Sequence, residues 1–119
     1  MEMNLVDNCL FCKIIREEIP AEIVYSDNQV LVFKDIDPQA AIHLLIIPRK
    51  HIARLNDIDA SDAALIGHIH LVAVKLAQQF AIAESGYRLV NNCNDDGGQA
   101  VDHLHFHLLG GRKMSWPPG

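Results

Sequence analysis

His103-Leu104-His105-Phe106-His107-Leu108-Leu109 alternates imidazoles with apolar side chains. In an extended chain, neighbouring side chains point to opposite faces. The three imidazoles therefore share one face, and Leu104, Phe106 and Leu108 share the other. The pattern predicts a strand over residues 103–109, backed by a core and presenting a polar row. A single exposed or hydrogen-bonded histidine needs no explanation. Three in a row need one, because each occupies a strand position that β-branched or aromatic residues fill better.

Two chemistries compete for such a row. In a strand the outer two imidazoles stand about 13 Å apart, whereas all ligands of one zinc lie about 2 Å from it. One ion can take neighbours but not all three. The alternative is phosphate chemistry. A neutral imidazole, with an ordinary pKa near 6.5, is an available nucleophile at neutral pH. Its neighbours can donate hydrogen bonds to phosphate oxygens, and Gly97-Gly98 lets backbone amides come close. His105, flanked on both sides, is the expected nucleophile.

Working outward, residues 92–99 form a polar loop and 88–91 another strand. Over residues 61–84 the period changes: Leu65, Ile69, Val72, Leu76 and Phe80 recur at four and three residues, predicting one long helix. Asp59 or Ser61 can cap it and Gly86 can end it. His68 and His70, two residues apart on that helix, cannot share a face and receive no chemistry. Further upstream, residues 21–25, 29–34 and 42–48 read as strands, with a hairpin turn at Ser26-Asp27-Asn28. Residues 11–18 read as a short helix stopped by Pro20. The order of elements predicts an α+β domain with an antiparallel sheet, one face covered by the long helix and the other left for a ligand.

The 119 residues suffice for one domain and not two. Ten basic against fifteen acidic residues, with no basic cluster longer than Arg49-Lys50, argue against duplex nucleic acid as a partner. No export signal is evident in MEMNLVDNCLF, and no stretch reaches the roughly 20 apolar residues of a membrane span. The expected location is the cytoplasm. Three cysteines, an odd number, argue for reduced thiols rather than a disulfide framework.

HLHFHLL with GGQAV before it and GG after it resembles the motif of the histidine triad (HIT) superfamily. KIIREEIPAEIVY, FKDIDPQAAIHLLIIPRKHI, GYRLVNN and GGRKMSWPPG extend the likeness over nearly the whole chain, to the Hint branch, the purine nucleoside phosphoramidases. The resemblance implies a single HIT domain over residues 1–119 whose sheets join across a homodimer. It also implies hydrolysis of purine nucleoside 5′-phosphoramidates and related adenylates through a nucleotidyl-histidine intermediate, with no cofactor for the chemical step. By position, His105 is the nucleophile, His107 and His43 belong to its polar network, and the backbone of His103 orients its ring. Asp35 matches the carboxylate that holds the ribose hydroxyls. Ile19, Phe33 and Ile36 match the purine slot. Asn92, Gly98, Ala100 and Val101 match groups near sugar and phosphate. Phe33, Ile36 and Ile19 could equally be plain core residues, Gly98 a turn residue, and Asp35 a cap before Pro38.

Two positions depart from the family pattern. Ala100 stands where some Hint proteins carry a serine near the phosphate, and Asp102 where a tyrosine is common. By strand alternation Asp102 should face away from His103. The tail 110–119 is implied to reach the partner subunit, placing Trp116 near its active site; a frayed end is the plainer alternative.

Cys9-Leu10-Phe11-Cys12 has the spacing of a zinc half-site without a second pair, and two buried thiols are the alternative. The likeness to bacterial HIT proteins implies a structural zinc completed by His51 and His103, with Cys93 a rival ligand. Two other functions remain open: a dinucleoside polyphosphate hydrolase, and a nucleotide-sensing scaffold with residual activity. His107 in the third motif position speaks against a nucleotidyltransferase, where glutamine is typical.

Overall fold

The computed structural model describes residues 5–119. It is an α+β domain built on a five-stranded, wholly antiparallel sheet. In chain order the elements are helix α1 (Leu10–Ile15), strands β1 (Ile23–Ser26), β2 (Val30–Lys34) and β3 (Ile42–Pro48), helix α2 (Ala63–Gln79), strand β4 (Tyr87–Asn91), the short helix α3 (Asn94–Gly97) and strand β5 (Phe106–Gly110). The sheet order is β1-β2-β3-β5-β4. The last strand is thus inserted beside β3, and β4 is left at the edge. His107 pairs with Leu45 on one side and Val90 on the other, so its backbone sits in the rigid middle of the ladder.

Each face of the sheet has its own core. Val30, Val32, Leu44, Ile46, Phe106 and Leu108 pack against Ile69, Val72, Ala73 and Leu76 of α2. By length and composition the run Ala60–Gln79 could cross a membrane, contrary to the sequence expectation. Its buried stripe lies against the sheet. On the opposite face Leu31, Phe33, Leu45 and Ile47 meet Phe11, Cys12 and Ile14 of α1. The sequence left this second face for a ligand; α1 roofs part of it and leaves a slot beside itself.

Several boundaries move. The helix expected over 11–18 ends before Pro20 because Glu17 turns left-handed (φ 62). Its N–H bonds to Ile14 O and that of Glu18 to Lys13 O, the six-residue closure that terminates helices. α2 stops at Gln79, short of 84, by the same device: Ala81 has φ 59, and the N–H groups of Ala81 and Ile82 reach Gln78 O and Ala77 O. Asp59 does cap the approach to α2, exchanging side-chain bonds with Asp62 across the 3-10 turn Ala60–Asp62. β1 covers Ile23–Ser26 rather than 21–25 and carries a bulge between Ile23 and Tyr25. The polar loop contains α3, closed by left-handed Gly98 (φ 77).

β5 begins at Phe106, so residues 103–105 precede the ladder and are held by other bonds. Leu104 N–H donates to Ile52 O at 2.6 Å. Leu104, Phe106 and Leu108 still enter the core under α2, as the alternation requires.

Candidate active site

His103 and His105, two residues apart, do different work. His103 is fully buried, and its Nε2–H donates to Pro48 O at 2.8 Å. A neutral ring has one N–H, so Nδ1 presents a lone pair. That atom lies 3.3 Å from Cys9 Sγ, 3.6 Å from Cys12 Sγ and 3.2 Å from His51 Nδ1, and His51 Nδ1 is 3.3 Å from Cys12 Sγ. A tetrahedral zinc with bonds of about 2.0 Å to nitrogen and about 2.3 Å to sulfur requires edges of about 3.3 Å and about 3.5 Å. All four donor atoms converge on that pattern. Cys93 is outside the group.

His105 is turned the opposite way. Its ring nitrogen Nδ1 lies 2.7 Å from His103 O, a pure acceptor, so Nδ1 carries the proton and Nε2 is unprotonated. Behind it, Gln39 N–H donates to His43 Nδ1 at 3.0 Å. His43 must then carry its proton on Nε2, which lies 2.9 Å from His107 Nδ1 and 3.4 Å from Asp35 Oδ2. His107 accepts on Nδ1 and keeps its own proton on Nε2. One backbone amide thus sets the tautomers of two imidazoles. The result is an unprotonated Nε2 on His105 beside an N–H donor on His107, with ring centroids 5.1 Å apart.

Asp35, His43 and His107 also bring donor atoms within 4.8 Å of one another. The 2.9 Å separation is a hydrogen bond, and it is shorter than the about 3.3 Å between two nitrogens on one tetrahedral ion. This group is a hydrogen-bonded chain rather than a second metal site.

Burial lowers the pKa of all three rings. His107 is pushed to about 4, chiefly by burial and then by His105 and His43 beside it, against a partial pull from Asp35. Burial also lowers His43, opposed by Asp35 and Asp37, and lowers His105, opposed by its bond to His103 O and by Asp35. All three are neutral near pH 7.

His105 and His107 open into a slot of about 290 Å³ between α1 and the sheet. Ile19, Phe33, Asp35, Ile36, Ala100 and Val101, all named from sequence, line it with them. Asn92 and Gly98 are not in that lining. Asn92 Nδ2 bonds Gly97 O at 2.6 Å and Gly98 closes α3. Asp102 is exposed, facing Arg54 at 3.9 Å and away from His103. Trp116 is exposed, and the Arg88 guanidinium bonds Ser115 O. His68 contacts Asp27 and His70 bonds Ile66 O, both away from the slot.

Sequence reading missed Phe11 and Gln39. Phe11 sets its ring edge-on to His105, centroids 5.2 Å apart, and walls the slot; its place in a C-x-x-C segment drew attention to the cysteines instead. Gln39 acts through its backbone, which side-chain identity does not reveal.

Known proteins resemble the chain in sequence and in fold. The chain is 50% identical to purine nucleoside phosphoramidase of Escherichia coli over 110 residues, 92% of each chain. It is also 50% identical to an uncharacterised HIT-like protein of Synechococcus elongatus, over 95% of this chain and 98% of that one. A crystal structure of a HIT family hydrolase from Legionella pneumophila superposes with a TM-score of 0.93 at 58% identity, covering 94% of this chain and all of the other. A histidine triad protein from Clostridium difficile gives 0.90 at 43%, covering 97% of each. Residues 16–114 match the HIT domain, and the chain belongs to that family.

Proposed function

We propose that the protein is a hydrolase that cleaves the phosphorus–nitrogen bond of purine nucleoside 5′-phosphoramidates, and the corresponding bond of acyl and aminoacyl adenylates, releasing AMP or GMP. The observation that carries this reading is the tautomer of His105: with Nδ1–H held by His103 O, Nε2 keeps its lone pair free on a ring that lines an apolar slot. The slot has the materials for a nucleoside. Ile19 and Phe33 supply apolar walls for a flat base, with fully exposed Ile36 at the rim, and Asp35 an acceptor for ribose hydroxyls.

His105 Nε2 attacks phosphorus in line as the bond to nitrogen breaks and the amine departs with a proton drawn from solvent, which the later hydrolysis step returns. His107 Nε2–H stabilises the phosphoryl oxygens, oriented by His43. Water then cleaves the histidine–phosphorus bond and frees the monophosphate. The relative purine nucleoside phosphoramidase of Escherichia coli supports this substrate class.

Two structural features belong to the same reading. Cys9, Cys12, His51 and His103 would hold a structural zinc, which ties α1 to the loop before β5 and takes no part in bond cleavage. The protein acts as a homodimer whose sheets join, supported by the unpaired β4 edge and the exposed Leu71 and Val74 on α2. In that dimer the tail brings Trp116 to the partner's site. Unpaired Cys9, Cys12 and Cys93 suit a reducing cytoplasm. Free nucleotide, rather than nucleic acid or a membrane, is its partner.

The test compares turnover of adenosine 5′-phosphoramidate with that of a diadenosine polyphosphate, using His105→Ala as control. Preferred cleavage of the phosphoramidate, abolished in the variant, with a nucleotidyl adduct trapped on His105, supports the reading. Preference for the polyphosphate makes the protein a dinucleoside polyphosphate hydrolase. Tight AMP binding without turnover of either makes it a nucleotide sensor.

A further inference from the structure

Asn91, the last residue of β4, donates from Nδ2 to the main-chain carbonyl of His105 at 2.9 Å. Its Oδ1 is buried and has no partner among the described residues. The amide cannot be flipped, because Oδ1 would then face another oxygen. Asparagine is a poor strand residue, and a buried acceptor without a partner is destabilising. Leu89 and Val90 before it are apolar, and a similar side chain at 91 would suit the strand better and carry no unpaired Oδ1, but would leave His105 O without this donor. The bond to His105 is what asparagine supplies and an apolar residue cannot.

That bond falls where the sheet runs out. Asn91 pairs with Phe106, the first residue of β5, so His105 lies one step beyond the ladder. Its upstream anchor is the Leu104 N–H to Ile52 O bond. The Asn91 amide holds the peptide on the downstream side.

We propose that Asn91 is a positioning residue for the nucleophile: by fixing the His105–Phe106 peptide, it keeps the ring's Nδ1–H on His103 O and Nε2 aimed into the slot. Asn91 does not line the slot, so it acts through His105 and not on the substrate. The inference rests on the reading of His105 as nucleophile. Misplacing a reacting atom by about 1 Å can cost about a hundredfold in rate.

The experiment uses the full chain and Asn91→Leu, with Asn91→Val as a less bulky equivalent. Single-turnover cleavage of adenosine 5′-phosphoramidate should slow about tenfold or more in the variant, with the half-saturating concentration changed by less than about twofold. The melting temperature should change little, because removal of the unpaired Oδ1 offsets the loss of the donor to His105 O. Nitrogen-15 NMR of the ligand-free protein should find His105 as one Nδ1–H tautomer in wild type and as a mixture in the variant. An unchanged rate, an unchanged tautomer, or a fall in melting temperature with rate and half-saturation worsening together overturns the inference. If wild type fails to turn over the substrate, the reading of function fails, and the NMR comparison alone decides for or against the positioning role.

Discussion

His43 Nε2 and His107 Nδ1 are 2.9 Å apart, and the proton between them belongs to His43 because Gln39 N–H occupies that ring's other nitrogen. Neither ring can take a second proton without losing one of these bonds. Burial acts in the same direction and places His107 at about 4.

A pH profile follows from this. A base whose pKa is lowered stays neutral as pH falls, so kcat/KM should hold level through about 6.5, where a free imidazole titrates, and decline below it, with protonation of His107 adding to the fall near about 4. The measurement is the rate between about pH 4 and pH 8, after subtracting the background cleavage seen with His105→Ala. A midpoint near 6.5 would show that these rings titrate as solvated histidines do.

The cysteine–histidine cluster makes a separate prediction. Protein purified without a polyhistidine tag should contain about one zinc per chain, and Cys12→Ser should abolish it. A structural ion carries folding free energy, so its removal by chelator should lower the melting temperature by about 10 °C or more. A metal-free preparation with an unchanged melting point would establish two buried thiols in place of a site.

The apolar periodicity of residues 65–80 made α2 legible in sequence, and the alternation of 103–109 correctly sorted Leu104, Phe106 and Leu108 into the core. The same alternation overextended β5. It reports which side a residue faces, while ladder bonds decide where a strand begins, and residues 103–105 are pinned by Ile52 O, Pro48 O and Asn91. Helix ends were misplaced for a related reason. Gly and Pro are the visible stop signals, but Glu17 and Ala81 adopt left-handed geometry that their identities do not advertise. Most of the slot was readable by resemblance. The tautomers were not, because a backbone N–H and two carbonyls assign them.

The end of α2 offers a test of stability. Ala81 sits at the left-handed position of a helix-terminating closure with φ 59. The left-handed region costs a residue with a Cβ about 1–2 kcal/mol, while glycine gives back about 0.5–1 kcal/mol through its freer unfolded chain. Ala81 is exposed and loses no packing. Ala81→Gly should therefore stabilise the protein by about 0.5–1 kcal/mol, read as a higher denaturant midpoint at constant slope. A lower midpoint would mean that the helix end is not strained.

Asp27 anchors the β1–β2 turn to α2 and should govern acid stability. Its carboxylate accepts from Gln29 N–H and Val30 N–H at 2.8 Å each, from Tyr25 O–H at 2.9 Å, and faces His68 Nε2 at 2.7 Å. Burial alone would raise its pKa, but these donors outweigh it and hold the group at about 2. A carboxyl depressed on folding contributes stability that is present above its unfolded value of 3.8 and is lost as pH falls toward about 2. The contribution near neutral pH is about 2 kcal/mol. Asp27→Asn should remove much of it at pH 7 and flatten the fall in stability between about pH 4 and pH 2. Denaturant titrations of both proteins across that window check this, and parallel curves would place the acid sensitivity elsewhere.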